Sequence, residues 1–243
     1  MQACYQNILE SASVSLSAGS ASPSYPLYRL YDRDIGRMFA EAAAGTLQID
    51  IVQGGTPAPV DRLIIPALHN LQGMALDLAY SEDGSTWTTA ASWTQPDGSL
   101  INTSFPSAKH ARWRFIVNNP AIAPQFAELF LTSTYTWEKL PGRPGGPFDD
   151  MFNVKTDTTA SGLDRFLTFG EPRRQRLYKV SNAGPAQRAN ILQLNSAWQG
   201  AKPFWLSDHE GNWIYGKLGK PLDLKETGAG KFEFDFNFME VLG

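Results

Sequence analysis

Three histidines, one cysteine and 24 carboxylates are the side chains from which any catalytic or metal centre of this 243-residue chain would have to be built. His69, His110 and His209 stand far apart, with no H-E-x-x-H helix pattern and no neighbours at zinc-ligand spacing. Cys4 is alone, so neither a disulfide framework nor a C-x-x-C site can form within the chain. No G-x-S-x-G turn presents a serine nucleophile. Gly228-Ala-Gly-Lys231 resembles the end of a phosphate loop, but Lys225 stands where the first glycine belongs and Phe232 replaces the hydroxyl that would hold magnesium. A pair of carboxylates that cleaves a glycosidic bond needs only the right separation and leaves no local pattern. With no recognisable site, the expectation is a protein that is not an enzyme.

Two other groups of residues have chemistry to offer. Arg173, Arg174, Arg176 and Lys179 form the one basic cluster. They could meet nucleic-acid phosphates, or they could be the charges of a solvated or subunit-facing strand. A net charge of −3 over the chain and Glu171 beside the cluster favour the second reading, without specific nucleic-acid binding. Trp87 and Trp93 could each offer a flat face to a sugar ring, or fill the core of a β-sandwich, where a large apolar ring is more at home.

The elements that would position these residues read as mainly β. Gly and Pro total 37 and separate short runs rich in β-branched and aromatic residues. Leu47, Ile49 and Ile51 alternate with Gln48 and Asp50, and further strands are expected over 62–66, 75–80, 87–93, 111–117 and 127–132. Asp83-Gly84 supplies the turn of a tight hairpin over 81–87. Three Pro and three Gly fall within 138–147, which marks a linker. Beyond it, Pro185 opens a helix with Ile191, Leu194 and Trp198 on one face and Gly200 as its stop. A hairpin follows over 204–215, and in 231–238 four Phe alternate with Lys231, Glu233, Asp235 and Asn237. That last strand could pair inside its own domain or leave an edge for a neighbouring subunit. No apolar run reaches the roughly 18 residues of a membrane span, and the N-terminus lacks a secretory signal pattern, so membrane insertion and standard secretion are not expected.

Several of these stretches together carry a resemblance. Asn7-Ile-Leu9, Pro26-Leu-Tyr-Arg-Leu-Tyr-Asp32, Leu47-Gln-Ile-Asp-Ile51, Leu63-Ile-Ile-Pro-Ala-Leu-His-Asn-Leu71, Ser81-Glu-Asp-Gly-Ser-Thr-Trp87 and Ala111-Arg-Trp-Arg-Phe115 resemble the discoidin-type, galactose-binding-like jelly roll, in the version found in tail proteins of long-tailed bacteriophages. The second half, with Pro203-Phe-Trp-Leu206 and the terminal Phe strand, is similar to the β-barrel domains that form rings at the tail tip.

The resemblance implies an N-terminal β-sandwich or jelly roll over 1–137, a linker over 138–150 and a C-terminal β-barrel-like domain with one helix over 151–243. This order is the reverse of many distal tail proteins. It implies a structural component of a phage tail tip or baseplate that assembles with itself as a ring, trimeric or hexameric, and meets the tail tube or hub. It is made in the host bacterial cytoplasm and reaches the exterior in the virion. The alternative is a carbohydrate-binding host-attachment module, with Tyr31, Trp87 or Trp93 exposed to a surface glycan. Many such jelly rolls hold a structural calcium, for which the matching positions are Asp32, Asp34 and Glu128; pairing of these carboxylates with Arg33 or Arg37 would meet their charge without metal. No other cofactor is implied.

Overall fold

In a computed structural model of the chain, the described residues are 1–138, 140–142, 149–151, 154–158, 164–168, 173–199, 202–219 and 222–241. In chain order the strands are β1 (Gln2–Cys4), β2 (Ala12–Ala18), β3 (Phe39–Ala40), β4 (Leu47–Gln53), β5 (Val60–Ile65), β6 (Ala75–Ser81), β7 (Thr88–Thr94), β8 (Ile101–Ala108), β9 (Arg112–Asn118), β10 (Gln125–Phe126), β11 (Phe130–Thr132) and β12 (Tyr135–Thr136). There follow β13 (Asp149–Met151), β14 (Val154–Thr158), β15 (Asp164–Thr168), β16 (Arg173–Ala183), helix α1 (Pro185–Gln199), β17 (Phe204–Ser207), β18 (Trp213–Leu218), β19 (Asp223–Gly228) and β20 (Lys231–Glu240).

Residues 6–134 form one compact unit, a β-sandwich of the jelly-roll kind. Its five-stranded sheet runs β2-β4-β9-β6-β7 and its three-stranded sheet β11-β5-β8, with β3 and β10 paired beside them. Alternation decides which side chains go inside. Leu47, Ile49 and Ile51 of β4 and Trp113, Phe115 and Val117 of β9 are all fully buried. The register that aligns those two rows also sets Asp50 opposite Arg114 on the outer face. The two side chains form a forked ion pair there, with Nε to Oδ1 at 2.6 Å and Nη2 to Oδ2 at 2.8 Å. The turn after β6 is built by Asp83, whose carboxylate accepts from the Ser85 and Thr86 N–H groups, while Gly84 takes a left-handed φ of 81°. Those hydrogen bonds hold the Asp83 carboxyl well below the usual carboxylate range.

The strand expected over 127–132 is broken. Gln125–Phe126 pairs with β3, Phe130–Thr132 pairs with β5, and between them the Leu129 N–H turns to the Leu30 carbonyl. Trp87 likewise lies in the turn before β7 instead of opening the strand.

The second unit contains Met1–Tyr5 as well as the residues from Tyr135 onward. It is an eight-stranded antiparallel sheet of order β12-β1-β17-β18-β20-β16-β13, with β19 also on β20 and one helix. The domain order inferred from sequence is corrected here. The jelly roll is an insertion between β1 and β12, which pair directly as Gln2 with Thr136 and Ala3 with Tyr135. The break therefore falls at 134/135 instead of 137, and the stretch 138–150 ends in a strand, β13, while Lys139 and 143–148 lie outside the described residues.

The terminal Phe strand takes the first of its two options. β20 pairs with β16, β18 and β19, and Phe232, Phe234, Phe236 and Phe238 are buried. Ile191 and Leu194 of α1 join the same core, whereas the side chain of Trp198 and the stop at Gly200 lie outside the described residues. The hairpin β17–β18 closes on the Asp208 carboxylate, which accepts from the Glu210 and Asn212 N–H groups at 2.8 and 2.9 Å. In the basic cluster, Lys179 pairs with Glu233 at 2.6 Å and Arg174 with Glu240 at 3.7 Å, both across β16 and β20. Opposite charges so placed across a ladder add to strand pairing.

Candidate functional site

Four connections gather at one end of the jelly roll: 19–46, 66–74, 95–100 and 119–124. Side chains of the 63–71 motif tie three of them together. Asn70 accepts from the Gln125 N–H at 2.6 Å and donates to the Ala123 carbonyl at 2.9 Å, and its own N–H reaches the Gln125 carbonyl at 3.1 Å. His69 accepts the Leu71 N–H on Nδ1 at 3.1 Å and so donates from Nε2 to the Ser99 carbonyl at 2.9 Å. That arrangement needs the neutral ring, and burial lowers its pKa accordingly. The fourth connection joins through the Ala40 to Gln125 pairing, and the Ala40 N–H reaches the Tyr25 carbonyl. Gly19, at φ 86°, gives way to the buried Glu41 carboxyl, which a β-carbon there would overlap. This end is therefore preorganised by its own hydrogen bonds.

What it presents is apolar and aromatic. Tyr25 is 40% exposed, Tyr28 46%, Ile122 54% and Leu68 83%. Leu68 is held in the left-handed region at φ 72°, a conformation that costs a non-glycine residue free energy and that the anchors at His69 and Asn70 enforce. Tyr25 and Tyr28 flank the start of a 3-10 turn, Leu27–Leu30. Arg29 of that turn lies over the Tyr25 ring, 5.5 Å from its centroid, and donates from Nη1 to the Met38 carbonyl at 3.1 Å. Its Nε is buried and has no hydrogen-bond acceptor among the described residues. Two exposed tyrosine rings, each with a phenol hydroxyl, form a surface able to stack on an apolar face and pair with a polar group.

The aromatics singled out from sequence are not brought together. Tyr31 and Trp93 are packed against the sandwich core, and Trp93 lies 6.5 Å from the Phe115 ring. Trp87 is at the opposite end of the five-stranded sheet, half-buried, with the Arg114 guanidinium 3.9 Å from its ring centroid. Tyr25 and Tyr28 were not among the expected residues. Their only signal was two tyrosines in a short Pro-bounded segment without periodicity.

Nor do Asp32, Asp34 and Glu128 form a ligand set. Glu128 is fully buried, and its two oxygens accept from Asn7 Nδ2 at 3.1 Å and from the Arg33 N–H at 2.9 Å. Asp32 accepts the Asp34 N–H on Oδ1 and faces Arg37 with Oδ2 at 3.4 Å, while Asp34 accepts the Gly36 N–H. Among the described residues no three His, Cys, Asp or Glu stand together as a metal site. Calcium needs six to eight oxygens directed at one point, and these point at N–H groups, so the residues present do not fit it. Burial pushes the Glu128 carboxyl up to about 8 despite the opposing pull of Arg33. Burial also raises Asp32.

No protein-family model matches the chain, and no curated protein sequence matches it. Among solved structures the chain is similar to the carbohydrate-binding module CpGH89CBM32-5 from Clostridium perfringens, in complex with GalNAc-β-1,3-galactose. They share 15% identity over 53% of this chain and all of that one, with a TM-score of 0.45. It is also similar to the family 32 carbohydrate-binding module of NanJ from C. perfringens, in complex with galactose, at 12% identity over 55% of this chain and all of the other, with a TM-score of 0.45. A putative alpha-L-fucosidase from Bacteroides thetaiotaomicron matches 53% of this chain but only 28% of its own length, at 18% identity and a TM-score of 0.47. The fold of these neighbours is the discoidin-like, galactose-binding-like jelly roll.

Proposed function

We propose that the jelly roll is a non-enzymatic carbohydrate-binding module that meets a surface glycan through the Tyr25, Arg29 and Tyr28 face, as the host-attachment part of a phage tail protein. The observation that carries this reading is the pair of exposed tyrosine rings at the loop end of the jelly roll. Losing one stacking ring should remove about 1 to 1.5 kcal/mol, or about tenfold in affinity. The test is a screen of bacterial surface glycans against the protein displayed multivalently, because single weak contacts add up only in that format. Binding by the natural protein should fall at least tenfold in the Tyr25→Ala, Tyr28→Ala double variant, with unchanged thermal unfolding because both rings are exposed. Absence of any binding by the natural protein up to millimolar glycan would remove this reading.

A second reading, a ring-forming structural component of the tail tip or baseplate, is favoured by one observation. In the chain, the jelly roll is inserted between β1 and β12, two paired strands of the other unit's sheet. Under this reading that other unit contacts itself and the tail tube or hub. Native mass spectrometry at rising micromolar concentration should then give a discrete trimer or hexamer of the 26.8 kDa chain. A monomer throughout that range would leave the glycan reading alone.

A further inference from the structure

We infer that this jelly roll carries its cation in covalent form: Arg33 fills the place between Glu10 and Glu128 that a divalent ion would need, and fastens the two ends of the domain without metal. The start of the unit is tied to its end by Asn7. Asn7 is buried and saturated, donating to Glu128 Oε1 and the Leu129 carbonyl and accepting from the Leu9 and Leu131 N–H groups. One side chain thus joins residues 7–9 to residues 128–131, more than 120 positions later in sequence.

A second tie is Arg33. Its main-chain N–H takes the other Glu128 oxygen, its guanidinium pairs with the Glu10 carboxylate, and its Cζ lies 4.4 Å from the centroid of the Phe130 ring. To do all three it adopts φ 64°, in the left-handed region, and its side chain is 7% exposed. A strained, buried arginine is expensive to keep unless its charge is used. Here the charge answers the Glu10 carboxylate and favours ionisation of Glu128, which Asp32 opposes. A metal ion would have to displace two N–H donors from Glu128 and the guanidinium from Glu10. The cation–π contact and the charge-assisted hydrogen bond to Glu10 supply the directionality that a coordination shell would otherwise give.

The test compares melting temperatures of the full chain in excess chelator and in millimolar calcium, together with terbium luminescence as a direct probe of a bound ion. The natural protein should melt at the same temperature in both and show no saturable terbium signal. A lower melting temperature in chelator, or a saturable signal that calcium displaces, would overturn the inference. Arg33→Gly supplies the positive arm. Glycine accepts φ 64° and keeps the N–H to Glu128 while removing the guanidinium that pairs with Glu10 and acts on Glu128. Measured at pH 9, where Glu128 is ionised, this variant should melt lower in chelator and recover by several degrees in calcium but not in equivalent sodium chloride. A folded variant indifferent to calcium would show that the arginine does not stand in for an ion. Should the variant fail to fold in chelator, recovery of folded protein in calcium alone supports the inference, and the natural-protein comparison decides it in any case.

Discussion

Truncating Phe236 to alanine is expected to destabilise the second unit by about 4 kcal/mol, the upper range for a large side chain lost from a core. Phe236 is fully buried in the middle of β20. Its ring lies nearly parallel to Trp137 at 5.4 Å and 7°, and to Tyr178 at 5.0 Å and 23°. Both flanking rings are themselves buried, Tyr178 within β16 and Trp137 directly after β12, so the cavity left behind has little freedom to collapse. The loss should appear as faster hydrogen exchange at the amides of β16 and β20 under native conditions. Lys231→Ala, on the exposed start of the same strand, should leave exchange unchanged within about 0.5 kcal/mol. Equal effects of the two substitutions would show that the aromatic stack is not what holds the sheet.

The stability of the jelly roll should fall as pH rises from about 5 to 8, opposite to the trend set by ordinary salt-bridged carboxylates. Its cause is Glu128, which burial raises from 4.5 to about 8. The sign follows from linkage. A carboxyl with a raised folded pKa contributes stability that is complete below the unfolded value and is lost as pH rises through the folded one. Completed, the shift amounts to about 5 kcal/mol, with Arg33 and the Asn7 amide limiting it from the other side. Unfolding midpoints of the natural protein and of Glu128→Gln across this range provide the check. The glutamine offers one acceptor where two N–H groups arrive, so its absolute stability differs, but its profile should be flatter. Parallel profiles would exclude Glu128 as the titrating group.

The regular part of the fold was legible because alternation is a local signal. The Leu47, Ile49, Ile51 row and the four Phe of 231–238 announce their buried faces with no knowledge of partners. β1 was not legible. Three residues are too few for a period, and the strand exists because Ala3 and Cys4 meet Leu206 and Trp205, about 200 positions away. The break at Ala127–Leu129 is of the same kind, since it follows from hydrogen bonds to Leu30, Asn7 and Arg33, all distant in sequence. Carboxylates at matching positions suggested calcium, but what decides the matter is which way Arg33 turns, and composition carries no trace of that. Exposure was equally out of reach. Tyr31 and Tyr28 are three residues apart in one irregular segment, yet one is packed against the core and the other 46% exposed.

The nesting of the jelly roll between β1 and β12 has a consequence for biosynthesis. A chain emerging N-terminus first completes residues 6–134 long before β17 exists, whereas β1 has its long-range partner in β17. The inserted unit, whose sheets pair only within it, can therefore finish folding during translation. Met1–Tyr5 meanwhile can pair with β12 on one edge but has to wait for residues 204–206 to leave the ribosome before its other edge is covered. By then the folded insert holds β1 and β12 at the two ends of a finished domain, so the entropic cost of closing a 130-residue loop has already been met and the late sheet assembles as though its first strand were local.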